Sequence, residues 1–231
     1  MDVNQDKLTM SAGRLEALGD GIFSVAMTLL IIELKIPSVQ GNSLKDLSHA
    51  LYEIRQEIFC YLISFVVLGI MWFGHRMVFE YISRTNRYFI FLGVLFYMVV
   101  CLVPFSTRFL AANTLHWYAI MMYGLNLSCC NLTLYAQWLY GIHRPSLHAR
   151  KLPTEVRREA NILFLISPLF YAVAIAISFL FPLASIIIFF ITPILYLLPN
   201  KLDKYLPWFL IAIILTILQN INASNFNFLR L

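Results

Sequence analysis

Charge is what this sequence has least of. Asp, Glu, Lys and Arg supply 13% of its 231 residues and hydrophobic residues 60%, whereas an ordinary soluble domain is about one quarter charged. A water-soluble globule is thereby excluded, because 231 residues cannot enclose enough interior to hide nearly every helix on all sides. With a mean hydropathy of +0.75, the chain reads as a membrane protein. A cleavable leader is also missing. MDVNQDKLTM is polar with mixed charge, lacks a basic start and is followed by no small-residue cleavage site, so the first apolar run is expected to be retained.

Other absences narrow the function. The four cysteines (Cys60, Cys101, Cys129, Cys130) all fall within apolar runs, where they behave as small hydrophobes and not as a disulfide framework or metal cage. His49, His116, His143 and His148 lie in loops or at span edges without a paired nucleophile or an H-E-x-x-H spacing, which argues against an intramembrane enzyme and leaves no cofactor or metal site to expect. No TVGYG-like string occurs, so a carbonyl-ring potassium filter is excluded. Two N-x-[ST] matches, at Asn126 and Asn131, sit inside an apolar stretch and mark nothing.

What is present is a series of apolar stretches. Six approach the 20 or so residues that cross a bilayer: approximately 17–36, 54–75, 88–107, 117–140, 160–181 and 183–199. Pro37, Pro104, Pro182 and Pro199 fall where helices are expected to end, and Pro168 and Pro193 should kink the last two spans. Lys and Arg set the orientation. With the N-terminus cytoplasmic, that side holds Lys7, Arg14, Arg76, Arg84, Arg87, Arg144, Arg150, Lys151, Arg157, Arg158, Lys201 and Lys204, against Lys35, Lys45, Arg55 and Arg108 opposite. The expectation is an all-α polytopic protein of six transmembrane helices with both termini inside, residues 1–200 forming the membrane domain. Residues 201–231 form a tail whose short apolar segment 205–219 is peripheral. The net charge of +5 is explained by topology, and no nucleic-acid partner is needed.

The first span carries the unusual chemistry. Ala17, Gly21, Ser24 and Thr28 follow at spacings of 4, 3 and 4, one stripe of small or weakly polar residues bordered by Val25 and Ile32. Such a stripe serves either close helix–helix contact or an aqueous path in which hydroxyls partly replace an ion's water shell. Asp20 is an ionisable residue inside a span, costing about 2.5–3.5 kcal/mol unless paired or wet. Arg14, six residues away, lies about 240° round the helix. Better partners stand in WFGHR of the second span, where Trp72, His75 and Arg76 reach the same level if the helices are antiparallel neighbours. The alternative is that His75 and Arg76 merely cap a helix C-terminus.

The pattern Arg14, Asp20, Gly21, Thr28, Leu29 and Leu30 resembles the first-helix signature of the transmembrane protein 175 family, with WFGHR and RYFIFLGVLFYMVVCLVPFST as further support. The resemblance is specific in the first span, weaker through residue 107 and little more than hydropathy beyond. Members are potassium-permeable cation channels, and one repeat's worth of helices resembles the prokaryotic form, which assembles as a homotetramer. The resemblance implies that first helices surround a central pore, with Val25 the narrowest apolar layer, Thr28 a polar layer linked to selectivity, and Ser24 and Ile32 continuing the lining. It also implies that Arg14, Asp20, Trp72 and His75 tie the cytoplasmic ends of the first three helices together. One departure stands out. Leu18 and Gly19 replace the aromatic and hydroxyl residues of the usual FSD, which removes a hydrogen-bonding group, weakens the helix by about 0.8–1 kcal/mol against alanine and predicts a less rigid inner end. Val25 is also smaller than the usual isoleucine or leucine and predicts a leakier waist.

The function expected is passive potassium conduction across the cytoplasmic membrane, with potassium, lipid and copies of the same chain as partners. The rival is a proton- or sodium-coupled carrier using Asp20, Glu33 or His75, against which stands the lack of internal symmetry and of ionisable groups near the midplane.

Overall fold

A computed structural model describes residues 10–35, 39, 43–149 and 153–197. Its described residues form eight α-helices: α1 (Gly13–Ile32), α2 (Leu44–Glu53), α3 (Arg55–Tyr81), α4 (Arg87–Val100), α5 (Val103–Ala112), α6 (Trp117–Ile142), α7 (Thr154–Ser178) and α8 (Pro182–Leu197). Two short strands, β1 (Met10–Ser11) and β2 (Arg84–Thr85), pair antiparallel with Met10 opposite Thr85. The fold is all-helical, as the composition predicts. By length and apolar character α1, α3, the α4–α5 stretch Arg87–Ala112, and α7 are each fit to cross a membrane. α6 is long enough but carries Asn126, Asn131 and Gln137, and α8 has 16 described residues. The segment 205–219 lies outside the described residues.

Helix boundaries differ from the sequence reading for local reasons. α1 begins four residues earlier than the hydropathy onset at 17, because Ala12 is anchored by its N–H to Ser83 O, 3.0 Å, and the helix propagates from there. α3 continues past 75 to Tyr81. The third span is not continuous. Pro104 does not end it; it sits in the first turn of α5, where it has no N–H to give Val100 O, and α4 stops at that valine. Hydroxyls stitch the break to its neighbours: Thr107 Oγ1 lies 2.8 Å from Ser64 Oγ on α3, Ser64 lies 2.9 Å from Tyr123 Oη on α6, and Asn126 donates to Ser106 Oγ, 2.9 Å. α7 accommodates Pro168 without a break in its helical run.

α6 lies at the centre, packed against α4, α5 and α7, while α1 sits on α3, α4 and α5. Three segments are knitted at one end of the bundle: β1, the α3–α4 link and the α6–α7 link. Ser83 N–H donates to Leu147 O, 3.0 Å, and Ala149 N–H to Tyr81 O, 2.8 Å. The segments carrying Arg84 and Arg144 thus share one end with the start of α1. Among the described residues the four cysteines are free, and Asn126 and Asn131 are both inside α6.

Candidate functional site

α1 divides into two faces. Leu15, Gly19, Phe23, Ala26 and Leu30 are buried against the rest of the bundle, the i, i+4, i+8 spacing of one helical stripe. The other face carries Ala17, Gly21, Ser24, Val25 and Thr28, all exposed within the single chain. Val25 is 56% and Ile32 72% exposed. Thr28 Oγ1 donates its hydrogen to Val25 O, 2.8 Å. Its lone pairs therefore point away from its own helix, free to face a cation or water. Val25, Thr28 and Ile32 rise along about 10 Å of this stripe.

The inner end of α1 is held by polar contacts to α3 and α4. Trp72 Nε1–H donates to Asp20 Oδ1, 2.8 Å. One turn earlier, Glu16 pairs with Arg76 at 3.6 Å. His75 is fully buried, with its ring centroid 4.8 Å from that of Phe79 and stacked on Phe96 at 5.8 Å. Its position six residues before the end of α3 excludes a helix-capping role. Tyr97 Oη donates to Leu15 O, 2.7 Å, and lies 2.8 Å from His75 Nε2. A phenol has one hydrogen, already committed to Leu15, so His75 Nε2 is the donor and carries a proton. His75 Nδ1 has no hydrogen-bond partner among the described residues.

The structure thus brings Asp20 to Trp72 and His75 to α1, while among the described residues no hydrogen bond or ion pair ties Arg14 to them. Arg14 is exposed, and the basic member of this network is Arg76, paired with Glu16. The sequence reading also missed Tyr97. A tyrosine on the buried stripe of α4 with Phe89, Gly93 and Phe96 demands a partner for its hydroxyl, and that demand was the available signal. Gly19 is a further difference. The usual hydroxyl is absent from position 19, yet a hydroxyl is present there, supplied by Tyr97.

At the opposite end of α1, Glu33 pairs with Arg108 of α5. Together they line a cavity of about 180 Å³ with Lys35, Glu57, Tyr61 and Thr107. Asp20 and Glu33 are thus engaged at the two ends of the helix and do not converge on one site.

An all-helical bundle with several lipid-compatible helices, tied at one end by a buried polar network, is a multi-pass membrane protein. A family model described as "Endosomal/lysosomal potassium channel TMEM175" matches residues 14–104, the stretch that holds every residue of that network. A potassium channel of Streptomyces collinus is 33% identical over 172 residues, covering 73% of this chain and 82% of the relative. A potassium channel of Chamaesiphon minutus is 28% identical over 192 residues, covering 82% and 95%. Among solved structures, a lysosomal potassium-selective channel TMEM175 homolog from Chamaesiphon minutus aligns with a TM-score of 0.68 at 27% identity, over 80% of this chain and 95% of that one. The chain belongs to the TMEM175 family.

Proposed function

We propose that this protein is a potassium-permeable cation channel in which four copies surround a central axis, each contributing α1 to the pore. The observation that carries the reading is the uncovered stripe of Ser24, Val25, Thr28 and Ile32 on α1, opposite its buried stripe. Among the described residues nothing covers this face. Assembly about an axis covers its aliphatic members while leaving a narrow wet path, and the bacterial relatives named potassium channels support the conducting function.

In this reading Val25 and Ile32 form apolar constrictions that gate by dewetting, and four Thr28 hydroxyls between them offer oxygens to a partly dehydrated ion. Potassium sheds water more readily than sodium, so a narrow waist with weak ligands favours it. The end of the bundle where β1 meets the α3–α4 and α6–α7 links faces the cytoplasm, in keeping with Arg84, Arg87 and Arg144 there. Six helices then cross the cytoplasmic membrane in each chain, and residues 1–200 hold the channel domain; 201–231 lie outside the described residues. The carrier reading is less well supported, because Asp20, Glu33 and His75 are each engaged by a local partner.

Reconstitution in planar bilayers under opposing potassium and sodium gradients tests the proposal. Unitary currents that reverse near the potassium equilibrium potential are expected. Saturable, proton-coupled flux without resolvable steps would overturn the channel in favour of a carrier.

A further inference from the structure

Gly19 has no side chain, yet the place its Cβ would take is already occupied. Tyr97 Oη lies 2.7 Å from that position, His75 Cε1 2.5 Å and His75 Nε2 2.8 Å. Tyr97 Oη makes two bonds there, donating to Leu15 O at 2.7 Å and accepting from His75 Nε2 at 2.8 Å. Leu15 stands four residues before Gly19, and its carbonyl is the one a serine hydroxyl at position 19 of a helix would itself bond. A tyrosine on α4 thus delivers, through the gap left by a glycine on α1, the hydroxyl that a local serine would otherwise supply. The consequence is mechanical. A serine hydroxyl belongs to α1 alone, whereas this hydroxyl belongs to α4, and among the described residues it makes the one hydrogen bond joining α1 to α4.

We propose that Tyr97 is a positioning residue for the conducting helix and that Gly19 and Tyr97 act as one unit, socket and pin, holding the inner ends of α1, α3 and α4 together. The effect on conduction rests on the channel reading above; the coupling of the two residues does not. A side chain at 19 expels the phenol and displaces a histidine ring held among Phe79, Phe96 and Phe23. Removing the phenol hydroxyl strands His75 Nε2 and takes from Leu15 O its second hydrogen bond, beside the helical one from Gly19 N–H. Making both changes together clears the phenol oxygen, leaves only the His75 ring to shift, and restores on α1 a hydroxyl able to donate to Leu15 O and accept from His75.

The test compares the wild type, Tyr97→Phe, Gly19→Ser and the double variant by two readouts: the thermal unfolding midpoint in detergent and the open fraction of single channels in bilayers. Tyr97→Phe is expected to lower the midpoint by about 2–4 °C, and Gly19→Ser by more. Both should alter the open fraction; the double variant should return the midpoint toward the wild type but leave the open fraction altered, because the hydrogen bond from α4 to Leu15 O is not remade. If Gly19→Ser alone does not yield folded protein, recovery of folding in the double variant is the expected result. Losses that simply add, a double variant that does not fold, or an open fraction that Tyr97→Phe leaves unchanged each overturn the proposal. A wild type that passes no current overturns the channel reading and the positioning role that rests on it, while the midpoints still decide whether the two residues are coupled.

Discussion

Asp20 of α1 accepts a 2.8 Å hydrogen bond from the indole N–H of Trp72 on α3, with both side chains partly buried. The bond explains how a helix bound for lipid tolerates a carboxylate in its second turn: an opposing helix supplies the donor, and exposure at the bundle end supplies the rest. Trp72→Phe keeps the ring's bulk but removes the donor, and is expected to destabilise the fold by about 1–3 kcal/mol. Asp20→Asn keeps an acceptor and should cost less. Thermal unfolding of the two purified variants checks the order.

Two glycines two residues apart on α1, on opposite faces of the helix, are expected to respond in opposite ways. A methyl at position 19 meets His75 at 2.5 Å, whereas one at position 21 meets nothing within 4 Å in the single chain. Gly19→Ala should lower the unfolding midpoint. Gly21→Ala should leave the isolated fold intact or strengthen it, by up to about 1 kcal/mol of helix propensity. Because Gly21 lies on the exposed stripe, the same variant should change conduction or assembly, as single-channel recording and size analysis in detergent will report.

On the proposed reading, removal of the Thr28 hydroxyl is expected to change selectivity and not the fold. Its hydrogen bond is to its own helix at Val25 O, on an exposed face. Thr28→Ala is therefore expected to move stability by less than about 0.5 kcal/mol while shifting the reversal potential toward the sodium value. Val25→Ala widens the apolar waist and should raise leak current. Unchanged reversal potential and leak in both variants would count against these assignments.

The Glu33–Arg108 pair joins the C-terminal end of α1 to the middle of α5 with much of the arginine exposed. Solvent screening limits such a pair to about 1 kcal/mol or less. Glu33→Gln should lower stability only within that range, and the difference from wild type should shrink as salt is raised in a denaturation series.

The helical class and the register of α1 are legible in the sequence because apolar length and the 3.6-residue period are local properties. Asp20, Trp72 and His75 stand out there because polar groups are rare in such a chain. What is not legible depends on residues far apart in sequence. Nothing in the string around Gly19 announces that Tyr97, 78 positions later, fills its missing side chain. Helix geometry turns Arg14 away from Asp20 and points to the second span, but only packing sets Arg76 beside Glu16. Pro104 reads as a terminator, yet the same missing N–H and ring clash can restart a helix when Ser64 and Asn126 offer hydroxyl and amide partners across the break.

The central claim, that the exposed face of α1 lines the ion path, is tested most directly by cysteine accessibility. Cys101 and Cys129 are exposed and are first replaced by serine; Cys60 and Cys130 are buried. Single cysteines are then placed at Ser24, Val25, Thr28 and Ile32, and for comparison at Ile22 and Met27, which pack against the core. The account predicts that a hydrophilic, cationic thiol reagent blocks potassium current at the first four positions and not at the last two. Undiminished current after labelling at all four, or block that follows the core-facing positions instead, would contradict it.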